Sequence, residues 1–313
     1  MTKTLNQYWG RFLGNLVNLY YLAFFLLLAC LIVSDVYYFG KITMPETPGI
    51  VFAIFFLVPA IYAIKLGLEV MARLMELLLP IIVIVYVLLL VLVIPKLEYT
   101  KFLPIMVGGI KPVLAGALPN INFPFGQILP VAFLYKYVKG NGGGDGKVGK
   151  GGNTDFIKYC FAAIIIATIL LTFRAMASAA AFDEESLKSL TYAPFSTIRA
   201  IEIGNIIERL DYFLLGAFYG TTFFKFIITY YIICEVINDV IGKGKPANYA
   251  VPVAILILVL MPFLLPRFDL ILKTVNPYLF VSLPIFFMVP LLLYITIGIK
   301  EKRNSRGNRG VDG

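Results

Sequence analysis

The sequence predicts an all-α polytopic membrane protein, and three observations carry that expectation. Of its 313 residues 60% are hydrophobic and 14% charged, with a mean hydropathy of +0.87. Soluble domains of this length are far more polar. The apolar residues are gathered into runs long enough to cross a hydrocarbon core, which takes about 20 residues of helix. Lys and Arg fall between those runs and at the C-terminus, so the net charge of +9 reads as a topology signal and not as a nucleic-acid surface.

Eight membrane segments follow in order, within a single membrane domain. The first covers about Phe12 to Ser34, entered through Tyr8, Trp9 and Arg11, an aromatic and cationic interfacial anchor. The second, Gly49 to Leu66, carries Pro59; the third, Leu77 to Ile94, begins near Pro80. The fourth, Phe102 to Tyr137, is studded with prolines. The fifth runs from Phe156 to Phe173, the sixth from Leu210 to Ile237, the seventh from Tyr249 to Leu265 and the eighth from Val275 to Ile299. Residues 139–153 form a flexible Gly-rich loop by composition, and residues 300–313 a basic tail. Eight crossings put both termini on one side, and that side holds Lys and Arg in excess by roughly two to one, which makes it cytoplasmic. The first run is too long and lacks the small-residue site of a cleavable signal, so it is expected to serve as an uncleaved anchor.

Several chemistries are excluded or disfavoured. The chain has no histidine, which removes His-dependent catalysis and His metal ligation. Cys30, Cys160 and Cys234 all fall inside apolar runs without CxxC spacing, so they read as small buried hydrophobes. No paired carboxylates or nucleophile–base arrangement marks an enzyme, and no cofactor is implied. Gly144 to Gly151 nearly spells a phosphate-binding loop, but the closing Ser or Thr is missing and no strand precedes it.

The fourth segment is the unusual one. Pro112, Pro119, Pro124 and Pro130 each remove a backbone donor, so a continuous helix is not expected. A broken helix at membrane depth survives only where protein or a water-filled cavity satisfies the freed groups. Such breaks are where secondary transporters hold small polar solutes. Gly116, Ala117 and Leu118 are the expected unwinding point, and Pro119 to Phe125 the re-entry.

Ionisable residues within membrane segments are costly and functional by default, about 2.5–3.5 kcal/mol each on the insertion scale. Lys111 reads either as a residue snorkelling to the outer interface or as one near the pocket. Lys225, mid-way along the sixth segment, needs an acidic or carbonyl partner that the sequence does not name. Glu235 and Asp239 lie toward the cytoplasmic end of that segment, where solvation is expected. Glu69, Arg73 and Glu76 share one helix face at spacings of four and three. They read as a latch fixing helix geometry where a short helix meets the third segment, or as an inner gate. Glu208, Arg209 and Asp211 open the sixth segment, where acidic groups favour a helix start. Gly216 and Gly220 form a GxxxG pair suited to close packing. Tyr20, Tyr21, Phe24, Phe218 and Tyr219 either line a pocket or face packing and lipid.

Pro45-Glu46-Thr47-Pro48, the run from Gly67 through Glu69, Ala72, Arg73 and Glu76 to Pro80, and Glu208-Arg209-Leu210-Asp211 together resemble the spore germination permease family. These are the B subunits of germinant receptors, related to the amino acid/polyamine/organocation transporters. The resemblance implies a leucine-transporter-like permease fold of two inverted five-helix repeats, with the first and sixth helices unwound and the third and eighth completing the pocket. The segments here then correspond to helices three to ten, and helices one and two have no counterpart in this sequence. Either the sequence is a fragment or another protein completes the fold. Within that frame the candidate ligand-binding residues are Tyr20, Phe24, Gly116, Ala117, Leu118, Phe123, Phe218 and Thr222; Glu69, Arg73, Glu76, Glu208, Arg209 and Asp211 are structural or gating. The implied partners are an amino-acid-class nutrient, a receptor A subunit, a C lipoprotein and membrane lipid. The alternative function is a secondary transporter of amino acids or related solutes.

Overall fold

The computed structural model describes residues 2–102, 109–122, 129–138, 150–199, 211–242, 244–264, 282 and 284–308. Among them every regular element is helical: α1 (Thr2–Trp9), α2 (Arg11–Thr43), α3 (Gly49–Leu66), α4 (Leu68–Val93), α5 (Ile110–Asn122), α6 (Leu129–Leu134), α7 (Lys150–Ala181), α8 (Glu184–Ser189), α9 (Ala193–Arg199), α10 (Asp211–Ile241) and α11 (Ala250–Leu264), then a π-turn (Pro284–Met288) leading into α12 (Val289–Asn308). Short 3-10 turns join several of these. Among the described residues five helices are long and apolar enough to cross a membrane: Arg11–Thr43, Gly49–Leu66, Leu68–Val93, Phe156–Ala181 and Pro246–Leu264. Pro284–Ile299 is a shorter apolar helix. The chain is an all-α polytopic membrane protein.

Several segment bounds differ from the sequence expectation. The second segment is reproduced as α3, stopped by Gly67 at φ +95, a backbone only glycine adopts freely. The first segment does not end at Ser34; α2 continues through Asp35 to Thr43. The third begins at Leu68, one residue after α3, so no separate short helix intervenes. α4 also runs through Pro80, whose ring removes one hydrogen bond but which the long apolar helix absorbs. The fifth extends to Ala181 and is followed by α8 and α9 in the connection to the sixth segment. Its start at Lys150 makes the last residues of the Gly-rich stretch helical.

The chain divides into two compact units. The first comprises residues 1–71, 110–133 and 225–313. Here α1 folds back on α2, and Gly14 permits the approach because a Cβ there would strike the Asn6 backbone. α2 and α3 form a tight hairpin in which Gly40 accepts the Phe52 ring and Gly49 the Tyr37 ring. α11 lies against both α2 and α3. Trp9 donates its indole N–H to Thr296 Oγ1 at 3.0 Å, tying α1 to α12; the expected interfacial anchor therefore also makes a tertiary contact.

The second unit comprises residues 72–109 and 134–224. The end of α7 is held by its surroundings: Glu98 N–H donates to Ala180 O, and Lys101 Nζ donates to Ala181 O at 3.1 Å. A cation at the last carbonyls of a helix opposes the negative end of its dipole. Gly220 of α10 accepts Ile82 of α4, whereas Gly216 faces open space, so only half of the GxxxG pair mediates a close approach.

Candidate functional site

The densest constellation of the first unit is aromatic. On α2, Tyr21, Phe24, Phe25 and Leu28 recur at helical spacing and are all at most 2% exposed. Phe133 of α6 lies edge-on to Tyr21 and to Phe25, with centroids at 5.3 and 5.2 Å. Phe286 meets Phe24 edge-on at 5.6 Å. Each such pair contributes about 0.5–1.5 kcal/mol beyond the area it buries. Tyr21 then directs its hydroxyl to the Ile285 carbonyl at 3.4 Å. That carbonyl belongs to the π-turn Pro284–Met288, where the wider helical register leaves backbone groups available and which recurs at functional sites. Three stretches far apart in sequence thus converge: mid-α2, the second helical piece of the proline-rich segment, and the π-turn.

The candidate ligand residues fall unevenly around this cluster. Phe24 is in it. Tyr20, one residue from Tyr21, is 36% exposed and outside its buried face. Gly116 and Ala117 are helical, as is the backbone at Leu118. This corrects the expected unwinding point. Pro112 occupies the first turn of α5, where its missing N–H has no intrahelical acceptor anyway, and α5 also passes through Pro119 to reach Asn122. The two helical pieces, α5 and α6, are separated by residues 123–128, so Phe123 lies outside the described residues. Phe218 and Thr222 belong to the second unit, where Phe218 sits edge-on to Tyr192 and Tyr219, at 6.3 and 5.6 Å.

The expected gating residues are similarly dispersed. Glu69, Arg73 and Glu76 occupy the opening turns of α4, all exposed, on a face with i, i+4 and i, i+3 spacing. They belong to the span itself and not to a connecting helix. Glu208 and Arg209 lie outside the described residues, and Asp211 is the first residue of α10. Lys111 is exposed in the first turn of α5.

Four features were missed in the sequence. Asp35 was placed in a connection, yet it sits inside α2, half-buried between the buried Ser34 and Val36. Glu235 was expected to be solvated but is only 5% exposed, because it closes a run of buried residues, Tyr231 to Val236, that precedes the exposed end of α10. Tyr230, one turn earlier, is fully buried and donates its hydroxyl to Ala250 O at the start of α11. The third feature is the contribution of Phe133 and Phe286. Periodicity on α2 could have flagged Phe25, but no local signal pairs α2 with residues more than 100 positions away. The fourth lies in the second unit: Tyr86, Arg174, Ser178 and Thr197 line a void of about 10 Å³, with Thr197 and Ser178 hydroxyls bonded at 3.2 Å.

No group of His, Cys, Asp and Glu suited to a metal occurs among the described residues. Cys30 and Cys234 are buried, Cys160 half-buried, and all three are free thiols.

The comparisons with known proteins agree in kind. Spore germination protein KB of Bacillus subtilis (strain 168) is 26% identical over 307 residues, 95% of this chain and 78% of that protein. Spore germination protein YndE of the same organism is 27% identical over 244 residues, 76% of this chain and 62% of that protein. Spore germination protein XB of Bacillus anthracis is 22% identical over 290 residues, 90% of this chain and 75% of that protein. The chain therefore spans between 62% and 78% of the lengths of these relatives. No solved structure matches it. The spore permease family, described as spore germination protein, matches residues 1–266. That stretch takes in every helix from α1 through α11, and on that ground the chain belongs to the spore germination protein family.

Proposed function

We propose that this protein is the membrane subunit of a spore germinant receptor, one that senses a small nutrient such as an amino acid in a permease-like pocket. The observation that carries this reading is the family match over residues 1–266. The convergence of α2, α6 and the π-turn on one aromatic cluster adds to it, since irregular backbone beside aromatic walls is what a small amphipathic ligand needs. In this reading the chain forms one membrane domain with eight membrane segments in an inverted-repeat frame. Both termini are cytoplasmic, in the inner membrane of the spore or cell. Tyr20, Phe24, Gly116, Ala117, Leu118, Phe123, Phe218 and Thr222 surround the ligand, and the charged residues at the starts of α4 and α10 govern helix geometry. Ligand binding shifts the balance between two conformations by its differential affinity for them, and an A subunit and a C lipoprotein read the shift. Deleting the gene should abolish germination to one class of nutrient and leave other triggers intact. Undiminished germination to every nutrient tested would refute it.

A second reading is a secondary transporter, favoured by one observation: the ionisable residues Asp35 and Lys225 lie well inside the long helices α2 and α10, the kind of group that ion-coupled carriers use. Saturable, gradient-driven amino acid uptake into proteoliposomes would select it over the sensor.

A further inference from the structure

In the second unit the end of α7 and the outer connection meet around a small polar void that the receptor reading does not use. Its volume is about 10 Å³, and its polar wall is Tyr86 from α4, Arg174 and Ser178 from α7, and Thr197 from α9. Leu90 and Ile198, both buried, add apolar surface to it. Arg174 and Ser178 are four residues apart and share one face of α7. Arg174 is half-buried, and its Nε is enclosed without a hydrogen-bond partner. The described acids of the adjoining connections do not serve it: Glu98 and Asp183 pair with Lys101.

The hydroxyls supply the complement. Thr197 Oγ1 lies 2.8 Å from the Ala193 carbonyl, one turn back, and 3.2 Å from Ser178 Oγ. It has one proton for the two contacts, and the shorter one takes it. The bond between the hydroxyls is then made by the Ser178 proton, and the lone pairs of Ser178 Oγ are left as acceptors. Ser178 and Thr197 are both more than nine-tenths buried, so bulk water does not reach them. The void is therefore bordered by a donor in need of an acceptor and by acceptors in need of a donor, with no direct bond between them. A water molecule answers both, and a space of about 10–15 Å³ is what a single one requires. A halide would answer the Nε–H alone and would face the hydroxyl lone pairs.

We propose that this void is the site of one structural water, which accepts from Arg174 Nε–H and donates to Ser178 Oγ. Because Ser178 is bonded to Thr197, the bridge continues from α7 into α9. Arg174 is thereby a positioning residue for the outer connection, acting through the water. Bridging waters of this kind hold nearly as well as direct hydrogen bonds.

Two measurements on the full-length protein test it. The first is a structure at a resolution that shows ordered water, determined once in chloride and once in bromide. One peak of equal strength is expected between Arg174 and Ser178 in both. An empty void, or a peak that strengthens in bromide, overturns the water site. The second is backbone amide exchange in Arg174→Met, Ser178→Ala and the two combined. Each single should speed exchange at residues 193–199 of α9 at least tenfold and leave α3, in the other unit, unchanged. The combined protein should exchange no faster than the faster single, since either change alone removes the bridge. Accelerations that multiply, or singles that match the parent, overturn the positioning role even where the water is seen. Should Arg174→Met fail to insert, Ser178→Ala and the peak at the void decide by the same outcomes.

Discussion

Helices α2 and α7 have nearly the same hydropathy, 2.5 and 2.2 over their most apolar windows, yet half of the α2 window is buried and none of the α7 window is. In water such a difference would have to appear in composition. In a bilayer it need not, because lipid tails are as apolar as leucine and either surrounding satisfies an apolar face. What distinguishes α2 is a sparse set of residues that permit or demand a neighbour. Gly14 and Gly40 admit Asn6 and Phe52, Gly49 admits Tyr37 from α2, and Tyr21 reaches for the Ile285 carbonyl. α7 presents Phe161, Ile165, Ile166 and Ile169, all more than half exposed, along its apolar run. Apolarity therefore reports the solvent, and small or polar residues report the neighbours.

The contrast is open to test, beginning with its largest expected effect. Phe25→Ala should cost about 3 kcal/mol in unfolding measurements, since the lost contacts and cavity remain even where lipid removes the transfer term. Ile169→Ala on α7 should stay within about 0.5 kcal/mol. An equally large loss at Ile169 would mean that α7 is covered by another chain. Next, Gly40→Val drives a methyl group into the Phe52 ring and should cost about 1–3 kcal/mol by the same assay. Lys101→Met removes a bond to the Ala181 carbonyl and ion pairs to Glu98 at 3.4 Å and Asp183 at 3.7 Å. Both carboxylates are largely exposed and screened, so the loss should be about 1 kcal/mol or less and should shrink with added salt. Gly116→Val should have the smallest effect on folding, because a Cβ there meets nothing within 4 Å. That makes it the cleanest probe of the ligand reading: response should vanish at normal abundance, and a retained response would remove Gly116 from the pocket.

The proline-rich segment shows how far local reasoning reaches. Four prolines argue against one continuous helix, and residues 123–128, which join α5 to α6, lie outside the described residues. The expected unwinding at Gly116 and Ala117 was misplaced, because these residues are permissive of a turn without requiring one. A proline in a first helical turn, such as Pro112, also breaks nothing. The end of α2 was misjudged for a related reason. A single Asp after an apolar run looks like an exit into water, yet α2 carries Asp35 half-buried and continues to Thr43.

Membrane residence, helical class and family were determined by the sequence alone, because each depends on composition, run length or motifs within a few turns of one another. The bond from Tyr21 to the π-turn, the contacts of Phe133 and Phe286 with α2 and the burial of Glu235 were decided only by tertiary structure. The physical reason is common to all three. In a low-dielectric, apolar surrounding the cost of a polar or charged group is set by whichever group lies opposite it, and that group is chosen by the packing of helices remote in the chain.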